Sequence, residues 1–160
     1  GIHSLASFTK VIQINLVGAF NVIRLLAEHM QNNPAGASGE RGVIINTASI
    51  AAYEGFEGQH MGYNAAKAGV LAMTRCAAGE YARQGVRVNS VVPGLMTPMR
   101  TSVVSADPVM RARFFERVPI NREGTAQEAA KAVLFLSSDE AKYITGVLLP
   151  VDGGMSARVG

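Results

Sequence analysis

Gly42-Val43-Ile44-Ile45-Asn46-Thr47-Ala48-Ser49 is the stretch on which the fold turns. Its centre, 43–47, is a β-branched run without alternation that follows a glycine and is too short for a helix. Such a run suits a strand covered on both faces, as in a parallel sheet. The surroundings agree. Upstream, residues 4–31 read as one long helix, with Ser4 as N-cap. Leu5, Phe8, Ile12, Leu16, Phe20, Ile23 and Leu26 recur at three- and four-residue steps and make an apolar stripe, which Asn15 and Asn21 interrupt. Residues 32–42 and 50–61 read as loops. A second helix spans 62–83, with Ala65, Ala66, Val70, Met73 and Ala77 on its apolar side and Gly85 at its end.

A second strand, 86–92, is stopped by Pro93-Gly94. The span 95–124 reads as irregular, with a short helix around 108–117. Thr125 and Glu128 form a capping box for a helix over 126–137. A third strand, 147–151, runs into the turn Asp152-Gly153-Gly154. Strands alternating with helices imply right-handed crossovers, and so an α/β fold with a parallel sheet and helices on its faces. Three strands are few for a doubly wound sheet. Residues 1–160 are therefore expected to be part of a larger domain.

Composition narrows the function. The chain has 160 residues, 48% hydrophobic and 17% charged, which suits a packed domain rather than a disordered one. The net charge is +3, but the basic residues are scattered and form no run. Nucleic acid and anionic membrane are not expected partners. No apolar stretch reads as long enough to span a bilayer, and no signal peptide opens the chain. The single Cys76 excludes an internal disulfide and fits a reducing compartment, the cytoplasm. His3, His29 and His60 share no ligand-like spacing, so no metal is expected.

The chemistry concentrates at three places. Tyr63 and Lys67 stand at i,i+4 on a predicted helix and share a face. A free phenol has a pKa of about 10, and a nearby ammonium favours its ionised form. Such a Tyr can exchange a proton with an alcohol or a carbonyl. Alone, the pair reads first as a surface Tyr–Lys contact. Ser49 adds to it, because it follows the buried strand at the end where open α/β sheets bind ligands. Its hydroxyl could hold a substrate oxygen or satisfy local backbone. The stretch Pro93-Gly94-Leu95-Met96-Thr97 follows the second strand at the same sheet edge, with Gly94 allowing close approach and Thr97 offering a hydroxyl.

Together these pieces resemble the short-chain dehydrogenase/reductase family. Its signature is a Ser, then Tyr-x-x-x-Lys, then Pro-Gly after the next strand, with an Asn on the preceding long helix. Ser49, Tyr63, Lys67, Pro93-Gly94 and Asn15 match it. Gly18-Ala19-Phe20-Asn21-Val22-Ile23-Arg24 and Ala51-Ala52-Tyr53-Glu54-Gly55 look like the type-2 3-hydroxyacyl-CoA dehydrogenase branch. The spacing from Ser49 to Tyr63 is one residue longer than the family's usual one.

The resemblance implies the second half of a Rossmann-like doubly wound sheet. The glycine-rich G-x-G-x-x-G loop, the acidic ribose-binding residue and the Asn-Asn-Ala-Gly motif of the family's first hundred or so residues are not found in this sequence. It implies an NAD(P)-dependent oxidoreductase interconverting a secondary alcohol and a ketone, with NAD as cofactor and NADP left open. Tyr63 would be the general acid/base, Ser49 would orient the substrate oxygen, Lys67 would support Tyr63 and the nicotinamide ribose, and Asn15 would position a water. Pro93, Gly94, Met96 and Thr97 would join Tyr63 and Lys67 at the cofactor. Gln59 would join Ser49 and Tyr63 at an acyl-CoA or hydroxysteroid-like substrate. The resemblance also implies a homotetramer joined through its long helices. The alternatives are a non-catalytic binding module of the same fold and a ketoreductase for another substrate.

Overall fold

Parallel pairing requires crossovers, and the chain supplies them as helices. The computed structural model describes residues 4–55, 60–97 and 107–157. In chain order these form α1 (Leu5–Met30), β1 (Gly42–Thr47), α2 (Met61–Tyr81), β2 (Val86–Pro93), β3 (Met96–Thr97), α3 (Pro108–Phe115), β4 (Gly124–Thr125), α4 (Ala126–Ser137) and β5 (Leu148–Val151).

Strand β2 is central. It pairs in parallel with β1, from Gly42↔Val86 to Thr47↔Val91, and with β5, from Ser90↔Leu148 to Pro93↔Val151. Val86, Val88, Val91 and Val92 of β2 are all buried, as a strand between two helical layers demands. On one face Val86 and Val88 pack with Ile44 of β1, Ile23 and Ala27 of α1, and Ala77 and Ala78 of α2. On the other, Arg87 turns to α4 and donates to the Leu136 carbonyl at 2.8 Å while pairing with Glu40. Asn89 is fully buried, donating to the Ile144 carbonyl at 2.9 Å and accepting from the Val147 N–H at 3.0 Å. That side-chain bond occupies the Val147 N–H, and β5 starts one residue later than the sequence predicts.

Helix α1 is not uniform. It is α-helical over Leu5–Ile12, opens into a π turn over Gln13–Val17, and is α-helical again over Gly18–Met30. Within the π turn, Asn15 Nδ2 donates to the Val11 carbonyl at 3.1 Å, taking the acceptor that an α-helix reserves for the backbone N–H of Asn15. The helix also corrects one expectation. Leu5–Met30, at 26 residues, is long and apolar enough to cross a bilayer by length and composition. Ile14, Val17, Val22 and Leu25, which lie off the stripe read from the sequence, supply the excess. In this fold α1 docks on α2 through close contacts. A Cβ on Gly69 would lie 2.6 Å from Leu16 Cδ1, and one on Gly62 would lie 3.2 Å from Phe8 Cδ2.

The remaining differences are local. The span read as irregular holds a two-stranded parallel pair, β3 with β4, registered Met96↔Gly124 and Thr97↔Thr125. Helix α4 begins with the expected capping box: Thr125 Oγ1 accepts from the Glu128 N–H at 3.2 Å, and the Glu128 carboxylate accepts from the Thr125 N–H at 2.8 Å.

Candidate active site

The C-terminal ends of β1 and β2 form one edge of the sheet, where open α/β sheets take ligands. Past Thr47, the Ala48 N–H extends the ladder to the Val91 carbonyl at 2.9 Å. Ser49 is extended and caps a single 3₁₀ turn, Ile50–Ala52. Its Oγ accepts from the Ala51 N–H at 3.2 Å. The backbone-satisfying role is therefore real. Accepting that bond still leaves the hydroxyl its own hydrogen to donate.

Tyr63 and Lys67 lie one turn apart on α2, as their spacing predicts. Lys67 Nζ stands 5.6 Å from the centre of the Tyr63 ring, within cation–π range. The same ammonium donates to the Thr47 carbonyl at 2.8 Å. Burial pushes the Lys67 ammonium below the ordinary lysine value, because desolvation disfavours its charge. Lys67 thus ties the Tyr63 helix to the end of β1, two residues before Ser49. Seven residues further along α2, the buried Thr74 accepts from Asn46 Nδ2 at 2.9 Å and donates to the Val70 carbonyl at 2.8 Å. Asn46 and Thr47 are neighbours on β1, so two adjacent strand residues fix the register of the helix. A polar Asn inside the apolar run 43–47 was the available signal for this second tie.

The other predicted residues divide. Asn15 sits in the π turn packed on α2, with its side chain bonded along its own helix. Gly94 has a packing reason to be glycine: a Cβ there would lie 2.8 Å from Asp152 Cα, and its N–H donates to the Val151 carbonyl at 3.0 Å. The Met96 side chain is buried, with its sulfur over Gly124. Thr97 is half-buried and pairs with Thr125. Gln59 lies outside the described residues. Beside β3 a cavity of about 280 Å³ is walled by Leu95, Met96, Val118, Ile120, Pro150 and Gly153. It adjoins the 93–97 stretch and is not lined by Ser49, Tyr63 or Lys67.

Three contacts were not foreseen from the sequence. Asn64, next to Tyr63, donates through Nδ2 to the Glu54 carbonyl at 2.7 Å. The Glu54 carboxylate pairs with Arg117. Val118 is buried with Ile50 and Met155.

Comparison with known proteins places this arrangement. A family model described as Enoyl-(Acyl carrier protein) reductase matches residues 3–156. Levodione reductase of Leifsonia aquatica is 39% identical over 158 residues, covering 95% of this chain and 57% of the relative. The 3-hydroxyacyl-CoA dehydrogenase type-2 of Bos taurus is 40% identical over 155 residues, covering 96% of this chain and 57% of the relative. The crystal structure of a gluconate 5-dehydrogenase from Burkholderia cenocepacia, in complex with NADP and tartrate, superposes with a TM-score of 0.87 at 29% identity. It covers 98% of this chain and 59% of that one. The chain thus spans somewhat over half the length of these relatives. With the family match running from the first helix through the turn after β5, the chain belongs to the short-chain dehydrogenase/reductase family.

Proposed function

We propose that the protein carrying this chain interconverts a secondary alcohol and a ketone, and that residues 1–160 are the C-terminal, catalytic part of one Rossmann-like domain. The observation that carries this reading is the Lys67 ammonium, held by the Thr47 carbonyl at the strand end and placed over the Tyr63 ring. Tyr63 accepts the O–H proton of an alcohol and, in the reverse direction, returns it to a carbonyl oxygen. Ser49 donates its hydroxyl hydrogen to the same substrate oxygen and orients it.

A nicotinamide dinucleotide, when bound, accepts the hydride that leaves the alcohol carbon or delivers it to the ketone. The residues fit such a group. An ammonium offers three donors, and the Thr47 carbonyl takes one. Thr97 brings a hydroxyl to the end of the neighbouring strand. The NADP complex of the Burkholderia relative supports the assignment.

For the substrate, the bovine relative supports a 3-hydroxyacyl thioester. The test is reduction of acetoacetyl-CoA by NADH or NADPH with the full-length protein. Turnover is expected, and Tyr63→Phe should lower it by at least ~10²-fold with little change in substrate binding. A Tyr63→Phe variant with near wild-type turnover would overturn the role given to Tyr63.

A further inference from the structure

Glu54 joins three parts of the candidate site. Its N–H donates to the Ile50 carbonyl at 3.1 Å and closes the turn that Ser49 begins. Its own carbonyl accepts from Asn64 Nδ2 at 2.7 Å, one residue from Tyr63. Its carboxylate pairs with Arg117, just past α3. Next to Arg117, Val118 is buried against Ile50, the residue after Ser49. The turn carrying Ser49 is thus held by Asn64 of α2 and, from the segment just past α3, by an ion pair and an apolar contact. The turn itself is a single 3₁₀ turn of three residues, too short to hold its own orientation. The Glu54 side chain is 21% exposed and that of Arg117 44%, so the pair is partly open to solvent, and its hold on the turn is shared with the buried Val118–Ile50 contact.

We propose that the Glu54–Arg117 pair is a positioning device that sets the Ser49 hydroxyl against Tyr63, and so fixes where the substrate oxygen sits. This rests on the proton-transfer reading above. Neither residue touches the reacting atoms. Their effect passes through the turn, where a displacement of about 1 Å can cost up to ~10²-fold in rate.

The test uses the full-length protein, acetoacetyl-CoA and the reduced nicotinamide nucleotide it accepts. Glu54→Gln keeps the backbone carbonyl for Asn64 and nearly the same volume, and removes only the charge. It should lower kcat/KM for acetoacetyl-CoA about tenfold and leave KM for the nucleotide unchanged. Arg117→Gln should do the same. Combining the two should cost clearly less than the product of the single losses, because the pair they share is removed by either change. Amide exchange in a peptide covering 49–54 should quicken in each variant, while that of 126–137 stays as in wild type. Additive losses, or full kcat/KM in Glu54→Gln, would overturn the positioning role alone, provided Tyr63→Phe remains inactive. A wild-type protein that fails to turn over, or an active Tyr63→Phe, would sink the proton-transfer reading and this role with it.

Discussion

Lys67 makes two contacts with one ammonium. The bond to the Thr47 carbonyl fixes α2 on β1, and the same charge lies over the Tyr63 ring. Replacing Lys67 by Ala removes both contacts. In the full-length enzyme turnover for alcohol oxidation should therefore fall by at least ~10²-fold, with weaker nucleotide binding. Lys67→Arg keeps the charge but not the compact point donor, and should restore neither fully. Unchanged turnover with unchanged nucleotide affinity would reduce the pair to a structural contact. Gly94 offers a contrasting case. The sequence points to a turn glycine there, but the reason lies in Asp152, which only the fold brings close. Because the clash is with backbone, Gly94→Ala should destabilise by about 1–3 kcal/mol, as overpacking does, measured by urea unfolding of the full-length protein. Wild-type stability would show that the β2–β5 junction yields freely.

At the scale of elements, legibility followed pattern length. The strands β1 and β2 are apolar runs of several residues, and α4 carries its start signal in Thr125 and Glu128, so all three read directly from the sequence. The pair β3–β4 is two residues on each side, too short for any periodicity, and it exists because Gly124 leaves room for the Met96 side chain. The π turn escaped for a different reason: the apolar stripe continues through it, and only the competition of the Asn15 side chain for the Val11 carbonyl marks it. The order Ser49, Tyr63, Lys67 was legible as a motif, and the structure places Tyr63 and Lys67 one turn apart on α2. The Glu54–Arg117 tie was not legible, because nothing local pairs residues so distant in sequence. The cap of α4 carries a prediction. Glu128 is held at about 2, first by its hydrogen bonds from Arg122 and then by those from Thr125. The folded value lies below the ordinary 4.5. Its contribution to stability is thus complete above about 4.5 and disappears as the pH falls towards about 2. Glu128→Gln should flatten the stability–pH curve across that window, followed by urea unfolding at its two ends. Thr125→Ala should cost about 1 kcal/mol at neutral pH. A curve for Glu128→Gln parallel to wild type would remove the carboxylate from the acid response.

At the scale of the molecule, large apolar side chains stand open on the helices. On α1 alone, Leu5, Ile14, Phe20, Val22 and Leu25 are each more than half exposed. Single exposed apolar residues are ordinary, but these stand both on and off the α1 stripe and together leave apolar surface open on one helix. Among the described residues β1 and β5 each pair only with β2, which leaves two sheet edges without a neighbour. Folding stability is a small difference between burial and chain entropy, so a three-stranded sheet with an uncovered helix should have little surplus. Residues 1–160 expressed alone are therefore expected to be insoluble or partly molten and to bind no NADH. The full-length protein is expected to be a homotetramer that packs α1 and α2 against their copies as a four-helix contact. Two measurements check this: a thermal melt with NADH titration of residues 1–160, and sedimentation of the full-length protein. A cooperative melt of a monomeric 1–160 with tight NADH binding would mean that three strands suffice and that the exposed face of α1 needs no cover. A full-length protein that stays monomeric at micromolar concentration would assign that cover to the rest of its own chain instead of to a second copy.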